Sequence, residues 1–195
     1  MAQTQLDRLG ASEARFVRDE GPATRMHRGT LVLFEGPPPG YVELLGHVRA
    51  RLGRAPRYRQ KLAAAPLGLG GWRWIDDPTF NLAYHVRHTG LPVPGDLDRL
   101  RTLTARVFAQ RLDRTKPLWE LWLVEGLQDG RWALLAKTHR ALADGPAGAD
   151  LLPVLLAPGP ADGAPDGWHP RPEPSPAQLL AAAVDEAVQD LAGAP

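Results

Sequence analysis

The stretch that most limits what this chain can become is PLWELWLVEGLQDGRWALLAKTHRALADG, Pro117 to Gly145. It holds two apolar, strand-length runs, Leu118 to Glu125 and Trp132 to Thr138, on either side of LQDG. Asp-Gly pairs take the positive φ values that a tight hairpin turn needs, so Asp129-Gly130 predicts two antiparallel neighbours. Runs this apolar need cover from other elements. The second run also carries His139 straight into a short polar turn, so the hairpin fixes where that histidine sits.

The rest of the chain supplies the cover. Thr30 to Phe34 reads as a strand ended by Pro37 to Pro39. Next, GYVELLGHVRARLG places Val42, Leu45, Val48 and Leu52 at helical spacing, with Gly53 as a stop. WRWI reads as a strand, and NLAYHVRHTGL alternates as one. DLDRLRTLTARVFAQRL is an amphipathic helix with Leu97, Leu100, Leu103, Val107 and Leu112 on its apolar side and a solvated arginine face. Pro146 suits the first turn of a helix that Pro153 bends or ends. Residues 1–156 read as one α/β unit; the expected architecture is a mixed sheet with helices packed on one face. Proline-rich residues 157–176 read as a linker. Residues 177–195 read as an amphipathic helix whose stripe of Leu179, Leu180, Val184, Val188 and Leu191 needs a partner surface.

Composition narrows the function. With 195 residues, 44% hydrophobic and 23% charged, the chain can bury a real core. A net charge of +1 gives no electrostatic case for nucleic acid. There is no cysteine, which excludes disulfides, thiolate catalysis and cysteine-based zinc sites. The first residues are too polar for a signal peptide, and no apolar run reaches the ~20 residues of a membrane span. The expected location is cytoplasmic, with peripheral contact to the inner membrane surface or a lipid droplet left open.

KTHRALADGPAG, Lys137 to Gly148, is the candidate site. His139 can act as acid or base near neutral pH, whereas Arg140 stays charged and only donates hydrogen bonds. Asp144 can pair with Arg140 or with an arginine from elsewhere, and Gly145 permits a tight turn. Spacing alone favours the simpler reading, a strand-end histidine followed by a capping aspartate. The other candidates are weaker. His85 and His88 would face opposite sides of a strand, so no metal site is expected there. His27 and His169 lack nearby ligand partners, and Trp119 and Trp122 read as packing.

RMHRGTLVLFEGP, PRYRQKL, PLGLG, WIDDPTFNLAYHVRH, LPVPGDLDRLRTL and LDRTKPLWELWLVEGLQDGRWALLAKTHRALADG follow one another along the chain. In that order they resemble the N-terminal half of the bacterial wax ester synthase/diacylglycerol acyltransferase family. That family is related to other CoA-dependent acyltransferases and to the condensation domains of peptide synthetases. The resemblance implies one lobe of a two-lobed, chloramphenicol acetyltransferase-like fold. It also implies O-acylation of diacylglycerol or a long-chain alcohol, with acyl-CoA as co-substrate and no bound cofactor. The family's site motif is His-His-x-x-x-Asp-Gly, whose second His is understood as the general base and whose Asp holds the geometry. His139 matches the first His, Asp144 the Asp and Gly145 the Gly, but Arg140 stands where the base should be. If Arg140 takes the inward position, strand alternation turns His139 into the packing behind it. Family members are about twice as long, so a second lobe, or a partner chain or paralogue supplying one, is expected for a complete site. Two functions follow: an acyltransferase acting with that second lobe, or a non-catalytic relative that binds lipid, acyl-CoA or a partner chain.

Overall fold

The computed structural model describes residues 6–144, 151–157 and 167–192. In chain order the elements begin with β1 (Asp7–Arg8), α1 (Ala11–Asp19), β2 (His27–Phe34), α2 (Tyr41–Arg51), β3 (Gln60–Ala64) and β4 (Trp72–Asp76). They continue with α3 (Leu82–His85), β5 (Val86–Gly90), α4 (Leu97–Ala109), β6 (Trp119–Glu125) and β7 (Trp132–His139). After the hairpin come the single turn α5 (Arg140–Ala143), then α6 (Leu151–Leu156) and α7 (Pro176–Ala192).

The hairpin forms as its turn chemistry dictates. Asp129 and Gly130 both take left-handed backbone, φ 62° and 65°, and β6 pairs antiparallel with β7, Trp119 opposite Thr138. β7 is central in a four-stranded sheet ordered β2-β7-β6-β5, and β5 runs parallel to β6, so the sheet is mixed. Every residue from Ala133 to His139 is buried, because both faces of this sheet are covered. On one face Leu134, Ala136, Leu121 and Leu123 pack with Leu44, Val48 and Leu52 of the α2 region. On the other, Val124 and Ala133 pack with Leu100 and Leu103 of α4. Helices thus lie on both faces, not on one. The buried lysine Lys137 explains how α4 is held there. Its Nζ donates to the carbonyls of Val107 (3.0 Å) and Gln110 at the helix C-terminus, where a cation complements the helix dipole.

Several local readings shift by a face or a turn. In α2 the buried apolar residues are Leu44 and Val48, while Val42 is 81% exposed. In α4, Asp96 caps the helix by accepting from the Arg99 N–H at 2.8 Å, Leu97 is exposed, and Leu112 is buried beyond the helix end. NLAYHVRHTGL is not one strand. Asn81 accepts from the Ala83 N–H, which starts the single turn α3, and only Val86–Gly90 is strand. β2 begins three residues earlier than its apolar run, at His27, because its polar start pairs with the end of β7. Pro153 lies inside the short helix α6; the expected helix start at Pro146 falls outside the described residues.

A second, antiparallel sheet, β1-β4-β3, stands apart from the first. Onto it folds the C-terminal part of the chain. Arg171 binds Asp76 through its backbone N–H (3.0 Å) and its guanidinium, Glu173 pairs with Lys61 at 3.0 Å, and Arg59 lies 5.1 Å over the Trp168 ring. Residues 167–175 of the proline-rich segment are therefore tied to this sheet. α7 follows on the same side, with Leu179 and Ala183 packed on Ala65 and Arg73 paired with Glu186 at 2.8 Å. Of the expected apolar stripe only Leu179 is buried; Val184, Val188 and Leu191 are 52%, 59% and 79% exposed.

Candidate active site

β7 delivers His139 to the junction of three elements. Its backbone N–H bonds the Leu118 carbonyl, and the next N–H, of Arg140, bonds the Met26 carbonyl at 2.8 Å. The His139 Nδ1 accepts from the Ala141 N–H at 3.1 Å and so caps the turn α5. A nitrogen that accepts a hydrogen bond carries no proton, so the neutral ring bears its proton on Nε2. The side chain is 1% exposed. Burial lowers its pKa, and the Glu20 carboxylate only partly offsets that.

Arg140 points the other way, as alternation along the chain requires. Its side chain is 44% exposed. The guanidinium lies 4.1 Å over the Phe16 ring, and its Nε donates to Asp144 Oδ2 at 2.9 Å. The other carboxylate oxygen, Oδ1, takes Arg28 Nη1 at 2.9 Å. Asp144 is thus pinned between Arg140 and an arginine from β2. Burial works against its charge, but hydrogen bonds from these two arginines outweigh it and hold its pKa below the usual carboxylate range. Gly145 lies outside the described residues. The arrangement brings His139, Arg140 and Asp144 into one turn, but it turns His139 and Arg140 to opposite sides.

Behind His139 lie Glu20 and Arg114, which no local motif marks, together with His27. Glu20, just past α1, has Oε1 3.9 Å from His139 Nε2, and both side chains are buried. Arg114 grips the other Glu20 oxygen, Oε2, through Nη2 at 2.9 Å and Nε at 3.1 Å. His27 sits directly across from His139 in the β2–β7 register. Glu20 and Arg114 lie too far from His139 in sequence for any local period to link them. The His27 to His139 pairing would follow from aligning Thr30–Phe34 antiparallel to β7 and extending it backwards.

The remaining candidates are structural. His85 is buried, donates from Nδ1 to the Trp119 carbonyl at 2.9 Å and stacks on Trp119. His88 pairs on the surface with Glu125 at 3.0 Å, so the two are separated by a helix-to-strand change rather than by strand alternation. Trp119 is wholly buried, its indole N–H on the Tyr58 carbonyl, while Trp122 donates to Glu120. Arg99 and Arg101 of α4 pair with Asp96 and Asp98 at the surface. His169 is exposed. Among the described residues no group of three potential ligands could hold a metal ion, and no helix is long and apolar enough to cross a membrane. A cavity of about 490 Å³ opens at the far end of the β2–β7 pair, between Phe34, Trp132, Leu44 and Leu155.

The site turn thus sits at the end of an interior strand of a mixed four-stranded sheet, at the edge where α1, β2 and β7 meet. Solved structures have the same fold. The wax ester synthase/diacylglycerol acyltransferase from Marinobacter aquaeolei VT8 superposes with a TM-score of 0.62 at 31% identity, over 71% of this chain and 34% of that one. The starter condensation domain of rhizomide synthetase RzmA superposes with a TM-score of 0.58 at 15% identity, over 73% of this chain and 34% of that one, a likeness of fold alone. Residues 9–194 match the family described as the wax ester synthase/diacylglycerol acyltransferase catalytic domain. The chain belongs to that family. Among its relatives, the Mycobacterium tuberculosis protein named "Probable diacyglycerol O-acyltransferase tgs3" is 42% identical over 92% of this chain and 68% of its own length. The protein named "Probable diacyglycerol O-acyltransferase tgs1" of the same species is 45% identical over 65% of this chain and 27% of its own. The chain thus spans about a third of the Marinobacter enzyme.

Proposed function

We propose that this chain is an acyltransferase-family lobe that binds acyl-CoA or acylglycerol-type ligands without itself transferring the acyl group. Transfer from a thioester to an alcohol needs a group that takes the hydroxyl proton. In the family pattern that group is the second His of the motif, and here the position is Arg140. A guanidinium stays protonated at neutral pH and only donates hydrogen bonds, so it cannot accept that proton. Loss of a general base lowers rates by about 10²- to 10⁴-fold. The observation that carries the reading is the locking of Arg140 between Phe16 and Asp144 while His139 is 1% exposed. Neither nitrogen of His139 is placed to reach a substrate: Nδ1 caps α5 and Nε2 faces the buried Glu20. The ligand class rests on the family and on relatives named diacylglycerol O-acyltransferases. A condensation domain of the same fold crystallised in complex with C8-CoA is consistent with it. A site complete enough for turnover also calls for the rest of the family's length, from a second lobe or a partner chain.

Catalysis is the second reading, favoured by 42% identity to a relative itself named as an acyltransferase. The test is incubation of the purified chain with labelled acyl-CoA and either diacylglycerol or a long-chain alcohol. The non-catalytic reading predicts no triacylglycerol or wax ester above the Asp144→Ala control. Product above that control assigns the chain to the enzymes.

A further inference from the structure

Three buried side-chain atoms behind the site turn find no hydrogen-bond partner among the described residues: Glu20 Oε1, His27 Nδ1 and His139 Nε2. Buried polar atoms left unpaired cost about 1–3 kcal/mol each, so three in one place ask for an explanation. They do lie in one place. His27 and His139 are register partners. The neighbouring pair is bonded on this side, Arg140 N–H to Met26 carbonyl, while the His139 N–H turns to Leu118 on the other strand. His27 and His139 therefore form a non-hydrogen-bonded pair, the kind whose side chains approach most closely. Glu20 Oε1 stands 3.9 Å from His139 Nε2, beyond direct bonding distance.

The chemistry of the three atoms follows from their partners. His139 Nδ1 accepts from Ala141, so Nε2 is an N–H donor. His27 Nε2 lies 2.8 Å from the Phe108 carbonyl, which can only accept, so Nε2 carries the proton and Nδ1 is an acceptor. Arg114 occupies Glu20 Oε2 and leaves Oε1 as a second acceptor. One donor and two acceptors are what a single water molecule satisfies: its oxygen takes the His139 N–H, and its two hydrogens go to Glu20 and His27. No protonation change is needed, and burial lowers the pKa of both histidines, in keeping with neutral rings.

We propose that one internal water is bound between Glu20 Oε1, His27 Nδ1 and His139 Nε2, tying the end of α1 to the start of β2 and the end of β7 beneath the site turn. Such waters commonly make about three hydrogen bonds to polar groups that would otherwise be unpaired. The site holds whether or not the chain turns over substrate. It assigns His139 to a positioning role, its ring fixed from both nitrogens.

A crystal structure of the unmodified chain at a resolution that reveals ordered water tests this. A single solvent peak is expected within ~2.6–3.2 Å of all three atoms. Independently, ¹⁵N NMR of the histidine rings near neutral pH is expected to find both His27 and His139 protonated on Nε2, with a water cross-peak to the His139 Nε2 proton. The proposal is overturned by a Glu20–His139 contact closed to direct bonding distance with no solvent peak, or by a protein atom filling the position. A ring proton on His139 Nδ1 overturns it as well.

Discussion

His85 allows a quantitative test of how this lobe is held together. Its ring is 1% exposed, stacked between Phe80 and Trp119 and bonded to the Trp119 carbonyl. Burial pushes its pKa down from 6.5 to about 4, against a smaller upward pull from that carbonyl. The unfolded chain takes up a proton below its ordinary pKa, and the native chain does not until pH nears about 4. Stability is therefore unaffected by His85 above about pH 6.5 and falls as pH drops below it. Linkage with these two values gives a loss of about 2 kcal/mol between about pH 7.5 and about pH 5. His85→Phe keeps the stacking and removes the titration. The variant should be less stable at neutral pH through the lost hydrogen bond. Its decline on acidification should nevertheless be smaller than that of the parent by about 2 kcal/mol. Urea unfolding followed by tryptophan fluorescence at both pH values measures this, and other histidines cancel in the comparison. Equal acid sensitivity in the two proteins would refute the reasoning.

Other outcomes follow from single contacts. Lys137→Met removes both donors to the last carbonyls of α4 and should cost about 2 kcal/mol, with faster amide exchange in Val107 to Gln110 as the local sign. Gly70→Ala puts a Cβ 2.5 Å from that of Ala183 on a backbone with φ +69°; α7 should loosen and its residues be cut faster in limited proteolysis, with the four-stranded sheet intact. Asp144→Asn should cost only about 1 kcal/mol in thermal or urea unfolding, because Arg28 and Arg140 are half exposed and screened. That loss should shrink as pH falls through the depressed pKa of Asp144, where the parent itself becomes protonated.

The sequence revealed most where one period and one turn spoke together. The β6–β7 hairpin is legible because two apolar, strand-length runs flank Asp129-Gly130, and α4 because Leu100, Leu103 and Val107 recur at helical spacing. α7 misleads because its composition is apolar on more than one side. The small Ala183 packs closely on the second sheet while the larger Val184 and Val188 face outward, so residue size was a poor guide to contact. The Asn81 turn was hidden by alternation that happened to continue through it. At the site, His139, Arg140 and Asp144 were visible as a local string. Arg28, which shares Asp144 across 116 residues of chain, was not, and neither were Glu20 and Arg114. Those contacts depend on strand pairing and helix docking, which no local period records.

The central claim is that the residue at position 140 leaves this site without a proton acceptor. Acyl transfer from acyl-CoA to diacylglycerol, measured side by side for the parent chain and for Arg140→His, tests it most directly. The account predicts product at background for the parent at every pH in the neutral range. Parent turnover above background that disappears in Asp144→Ala would contradict it.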